Sequence, residues 1–259
     1  MDGKAFFDNG RDKFLEGKYP ESIRELIYAE QIFTSQGKEI DTAKVSLILA
    51  DAYAKLNQID QARKAAFQAY NIYKTHSVTK EQAISAKKLG IFYRIQGNFR
   101  LAKQFLAEAI ELFMKLKDIK ELALTWCEMA TLYQTNLQAN SEHPLHAINA
   151  YKRAYELFKK LKDTKRMAEI TLDLAHLLLN LEKQAQAIKY FEESRNLSLK
   201  TGNYEYAISI CLQLASTYRS LKNTKKVKEN LNLALKLMKE GKYPIEKLKA
   251  LQERIKALF

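Results

Sequence analysis

A small residue recurring at a fixed place in a repeating frame limits what this chain can fold into. Leu49-Ala50 is followed by Tyr53, and the arrangement returns at Leu89-Gly90 with Tyr93, Met129-Ala130 with Tyr133 and Leu214-Ala215 with Tyr218. Leu174-Ala175 with Leu178 is a weaker copy, and Asn9-Gly10 with Lys13 is the weakest. The small residues stand at 10, 50, 90, 130, 175 and 215, a period of 40 residues with one step of 45. Self-similarity at such a period is the mark of stacked supersecondary units.

A second helix follows in each unit, marked by small residues seven apart: Ser22/Ala29, Ala62/Ala69, Ala102/Ala109, Ala147/Ala154, Ala187/Ser194 and, least faithfully, Val227/Ala234. Seven residues is nearly two helical turns, so both members face one way and let a neighbouring helix come close. Leu106, Tyr151, Phe191 and Leu231 fill the space between them. Turn residues separate the two helices at Gly17-Lys18-Tyr19, Asn57-Gln58-Ile59 and Gly97-Asn98-Phe99, and further breaks fall at Lys117-Asp118, Lys162-Asp163 and Gly202-Asn203. With only three prolines and eight glycines in 259 residues, and no Ser/Gly/Pro-rich linker, one all-helical domain is expected.

The pattern predicts six helix–turn–helix units, near 3–40, 41–80, 81–120, 121–165, 166–205 and 206–242, closed by a capping helix over 244–258. Pro244 suits a first helical turn, and Ile245, Leu248, Leu251, Ile255 and Leu258 give that helix one apolar stripe. The long step places five inserted residues between Gln134 and Pro144, where Pro144 suits the start of the next helix and Ser141 or Glu142 would cap it.

These residues resemble the tetratricopeptide repeat family over essentially the whole chain. The third unit matches its pattern best, with Leu89, Gly90, Tyr93, Gly97, Phe99, Ala102, Leu106 and Ala109, and Trp126 takes the bulky first position of the fourth. The 40-residue period exceeds the family's usual one and is similar to that of kinesin light chains, soluble NSF attachment proteins and bacterial peptide-responsive regulators. The resemblance implies an all-α, right-handed superhelical solenoid of six hairpins whose first helices line a concave face. That face would fall at Asp51 and Lys55, at Lys87, Ile91 and Arg94, at Cys127, Thr131 and Gln134, at Asp173, His176 and Asn180, and at Gln213, Ser216 and Arg219. It implies a peptide or protein partner bound there.

The family's grip on acidic chaperone tails is argued against. The matching positions hold Phe7 and Arg11, then Leu47 and Asp51, then Lys87 and Ile91, with Ile48 where the second amide belongs, so the required amides are missing and Lys87 alone keeps its type. Moving the frame to Leu172 and His176 does not restore them.

Net charge is +13, and from Lys222 onward eleven basic residues face four acidic ones. Lys225, Lys228, Lys236 and Lys239 recur on one face of a predicted helix, opposite Val227, Leu231, Ala234 and Met238. Such a helix suits an acidic partner, an anionic membrane met peripherally, or nucleic acid. Lysine outnumbers arginine 33 to 10 without Arg–aromatic interleaving, which disfavours nucleic acid.

Neither a Gly-rich phosphate loop, G-x-S-x-G nor H-E-x-x-H occurs, so no enzyme is expected, nor any cofactor. Among His76, His143, His146 and His176, only His143 and His146 are close in sequence, and no carboxylate or thiol cluster completes a metal site. Cys127 and Cys211, two repeats apart on equivalent helices, read as buried thiols too distant to bridge. Without a signal peptide or a membrane-length apolar run, a cytoplasmic protein is the expectation.

Overall fold

The computed structural model describes residues 2–137, 142–241 and 243–256, which form two compact units, Met1–Asn136 and Leu137–Phe259. The first unit holds α1 (Gly3–Leu15), α2 (Tyr19–Ser35), α3 (Glu39–Lys55), α4 (Ile59–Thr75), α5 (Thr79–Ile95), α6 (Phe99–Leu116) and α7 (Ile119–Thr135). The second holds α8 (His143–Lys160), α9 (Thr164–Asn180), α10 (Gln184–Lys200), α11 (Tyr204–Ser220), α12 (Thr224–Glu240) and α13 (Ile245–Lys256). Among the described residues there are no strands, and no helix is long and apolar enough to cross a membrane.

The finer beat of the chain is 20 residues. Most helices run 17 residues and end on a residue in the left-handed conformation, at positions 17, 37, 57, 77, 97, 117, 162, 182, 202 and 222. The next N–H then reaches back to a carbonyl five residues earlier, as in Gln58 to Tyr53 (2.9 Å), Asp118 to Phe113 (3.1 Å) and Asn223 to Tyr218 (3.0 Å). This is the Schellman closure of a helix C-terminus. The turn inside a hairpin and the turn between hairpins are therefore the same device. Asn98, Asp118, Asp163, Asn203 and Asn223 then cap the following helix through their side chains.

Glycine fills only four of those ten left-handed positions. Lys117 (φ 55°) and Lys222 (φ 55°) hold a conformation that costs an L-residue about 1–2 kcal/mol. Lys117→Gly is expected to stabilise the protein by about 1 kcal/mol, raising the thermal midpoint by about 2–4 °C. A calorimetric scan of that variant checks it.

The small residues do what their spacing predicts. Gly10, Ala50, Gly90, Ala130, Ala175 and Ala215 are all buried, as are the seven-apart pairs of the second helices. At the last turn of the second helices, Phe33, Tyr73, Phe113 and Phe158 take equivalent buried places, 40 and 45 residues apart.

Three expectations are corrected. Ile245 is 70% exposed in the first turn of α13, while Leu248 and Tyr243 pack against the core; the side chains of Leu251 and Ile255 lie outside the described residues. Glu142 occupies the N-cap of α8 without a side-chain capping bond, while Pro144 stands in the first turn as expected. Ser141 and Leu258 lie outside the described residues. Cys127 is partly exposed, while Cys211 is buried, its thiol pushed up to about 11 chiefly by desolvation.

Candidate functional site

The first helices of neighbouring hairpins pack side by side within each unit, and their remaining faces form a row. In the first unit that row is cross-linked by charge. Lys88 of α5 pairs with Asp51 of α3, Lys87 of α5 with Glu121 of α7, and Arg94 of α5 with Glu128 of α7 at 3.3 Å. These side chains are partly buried, so the pairs are screened less than surface pairs. Ile91 packs against the core, and Thr131 donates its hydroxyl to the Cys127 carbonyl at 3.0 Å. Gln134 is half-buried, and Lys55 is exposed at the end of α3.

Asp51, Lys87 and Arg94 thus hold one first helix to the next. Their signal was present in the sequence as opposite charges 34 and 37 residues apart, just under one repeat.

The second unit differs. Asp173, Asn180, Ser216 and Arg219 are exposed and make no hydrogen bond or ion pair with the described residues. Gln213 is half-buried, with Oε1 shielded from solvent and lacking a hydrogen-bond partner. Leu172 and Leu212 lie partly exposed on the core between these polar groups. His176 has another role: its ring stands edge-on to Phe191, centroids 5.4 Å apart, and burial lowers its pKa.

Asp173 meets solvent yet stands in a recess crowded by protein. That desolvation, with the charge of Glu169 on the same helix, pushes its carboxyl up to about 6 from 3.8. Tyr206 of α11 faces both carboxylates and is pushed up to about 12, mainly by burial. A carboxyl whose folded pKa exceeds its unfolded value opposes folding once ionised. Asp173 therefore weakens the fold above about pH 6, and the penalty disappears as pH falls through 4. Solvent screening reduces its size, so Asp173→Asn should stabilise by about 1 kcal/mol at neutral pH and by nearly nothing near pH 4. Urea unfolding at both pH values tests this.

On α12, Lys225, Lys228, Lys236 and Lys239 are exposed, and Val227, Leu231, Ala234 and Met238 opposite them are buried. Lys236 lies 3.8 Å from Glu240. Among the described residues no three His, Cys, Asp or Glu side chains gather as a metal site would require. His143 is buried in the first turn of α8, and His146 lies 3.6 Å from Glu142.

The second helices repeat a contact the sequence reading missed. Tyr70 of α4 donates to Glu108 of α6 at 2.9 Å, and Tyr155 of α8 donates to Glu193 of α10. Both members recur 85 residues later, which is the trace they leave in the sequence.

Buried small residues, paired antiparallel helices and one turn used at ten helix junctions define a helical-hairpin repeat protein. Residues 90–208 match the family model of soluble NSF attachment proteins, and residues 208–239 match that of the tetratricopeptide repeat. The chain belongs to the tetratricopeptide-type repeat proteins, in the variant with a 40-residue period. It is similar to a kinesin light chain-related protein of Arabidopsis thaliana, 26% identical over 128 residues, which is 46% of this chain and 19% of the relative. Among solved structures it is similar to a signal-transduction ATPase with a tetratricopeptide repeat sensor from Pyrococcus horikoshii. That match has a TM-score of 0.74 at 19% identity and covers 99% of this chain and 38% of the other. The Rap conjugation gene regulator of plasmid pLS20, solved in complex with the Phr* peptide, matches with a TM-score of 0.58 at 15% identity, over 98% of this chain and 72% of that one.

Proposed function

We propose that the protein is a non-enzymatic interaction scaffold that holds a peptide or protein segment against its first helices. The observation that carries this reading is the contrast between the two rows. In the first unit Asp51, Lys87 and Arg94 are paired with charges on the neighbouring helix, although Arg94 Nε stays without a hydrogen bond, whereas in the second Asp173, Asn180, Ser216 and Arg219 are exposed without such pairing and Gln213 Oε1 is unpartnered, beside Leu172 and Leu212. A mixed surface of this kind suits the backbone and occasional apolar side chain of an extended segment. A peptide-bound structural neighbour supports the same mode. Asp51, Lys87 and Arg94 would act by keeping the helices in register, with contact falling to the second unit. A peptide-responsive change in the stack, altering a second partner, is a finer form of the same reading.

Charge reversal at Arg219 together with Asn180→Ala and Gln213→Ala should remove proteins captured from lysate by the wild-type chain and leave the melting midpoint unchanged. Retention of every captured protein by this variant defeats the proposal.

A second reading rests on α12. Its apolar face is used within the repeat, so the exposed lysines can meet a partner only through charge, be it an acidic protein, an anionic membrane surface or nucleic acid. Replacing all four lysines with glutamine should abolish any salt-sensitive binding of this kind.

A further inference from the structure

The junction of the first two hairpins is open where the next junction is filled. On the second-helix side, α2, the start of α3 and α4 border an open groove of roughly 370 Å3, lined by Thr34, Thr42, Gln68, Asn71, Ile72 and Thr75, of which Thr34, Gln68, Asn71 and Thr75 are exposed. Forty residues further on, Thr34 is replaced by Lys74, Thr42 by Gln82 and Gln68 by Glu108. There Glu108 accepts from Tyr70 (2.9 Å) and from Gln82 Nε2 (2.9 Å), and Lys74 donates to Tyr70 Oη (3.1 Å), so side chains occupy the space. In the first junction Glu30 stands in the place of Tyr70 and instead accepts from Ser46 at 2.7 Å. Short hydroxyls and a neutral amide then leave the cleft unfilled, and Gln68, Asn71 and Thr75 make no side-chain hydrogen bond with the described residues.

We propose that this groove binds the main chain of an extended, uncharged polypeptide segment, at a site separate from the first-helix row. A carboxamide presents one donor side and one acceptor side, the complement of a peptide group. Gln68, Asn71 and Thr75 stand on successive turns of α4, with rises of about 4.5 and 6 Å between them. The one charged lining residue is Glu39, which gives one carboxylate oxygen to His76, so the groove offers an anionic ligand no cation to pair with. Ile72 supplies an apolar floor for one side chain, and no aromatic ring lines the groove to stack on a sugar.

The test is a titration of 15N-labelled protein with a blocked oligopeptide of alternating serine and threonine, read at the side-chain amide signals. The Gln68 and Asn71 carboxamides should shift saturably, and Asn71→Leu, at an exposed position, should weaken binding about tenfold. A filled variant carrying Glu30→Tyr, Thr34→Lys, Thr42→Gln and Gln68→Glu copies the neighbouring junction. It should lose binding and keep its melting midpoint at or above the wild-type value. The proposal is overturned if no saturable shift occurs up to ~10 mM peptide. It also falls if a malto-oligosaccharide alone produces the shift, or if Asn71→Leu binds as the wild type does.

Discussion

Phe113→Ala should cost the protein about 3–5 kcal/mol, seen as a fall in the urea midpoint. The ring is fully buried at the end of α6, inside the core that α2 to α6 share. Its backbone carbonyl also receives the Asp118 N–H that closes the helix, so the position is fixed at both ends and cannot collapse to fill the cavity. Phe33, Tyr73 and Phe158 at equivalent places indicate that a hairpin needs a large ring there. Because a hairpin touches only its neighbours, the damage should stay local. Hydrogen exchange should quicken most across α5, α6 and the start of α7, and least in α1. Met114→Ala, one residue on and 59% exposed, should change stability by less than about 0.5 kcal/mol. Equal losses at the two positions would contradict the assignment of Phe113 to the core.

Much of this architecture is legible in the sequence because close helix packing leaves a durable trace. Only a small residue fits where two helices touch, so Gly10, Ala50, Gly90, Ala130, Ala175 and Ala215 report every hairpin. The turns are less legible. A left-handed residue is readable when it is Gly97 or Asn57, and Lys117 and Lys162 are marked by the aspartate that follows, but Ser77 and Glu182, followed by Val78 and Lys183, carry no such mark, which obscures the 20-residue beat behind the 40-residue one.

The site is harder still to read. A one-residue uncertainty in the inner face of a helix swings a side chain by about 100°, from the row toward the core or solvent. His176 illustrates this, since its ring belongs to the packing around Phe191. Asp51, Lys87 and Arg94 look like ligand contacts in one helix considered alone, and become cross-braces once the neighbouring helix supplies Lys88, Glu121 and Glu128. The opening beside Gln68 and Asn71 is defined by what Thr34 and Thr42 are too short to reach, a property of the gap between two hairpins and of no single motif.

Gly90→Val should lower stability by about 3 kcal/mol, the upper end of what overpacking costs. A Cβ built at Gly90 falls 2.5 Å from Leu106 Cγ and 2.8 Å from its Cδ2, inside any permitted contact, and 3.2 Å from the Ala102 carbonyl oxygen. The leucine tip can move, but the carbonyl belongs to α6 and cannot move without displacing the helix. Valine adds two further carbons in a helix that restricts its χ1, so the displacement grows. The equivalent pair in the preceding hairpin is Ala50 with Ala66, where both partners are small and buried. That arrangement defines the rescue. Leu106→Ala alone should cost about 2–5 kcal/mol, since Leu106 is fully buried. Combined with Gly90→Ala it recreates the neighbouring pair, and the double variant should be more stable than the sum of the single effects by about 1–3 kcal/mol. Additivity within about 0.5 kcal/mol would mean that Gly90 and Leu106 do not compete for the same space, and the seam between α5 and α6 would need another explanation.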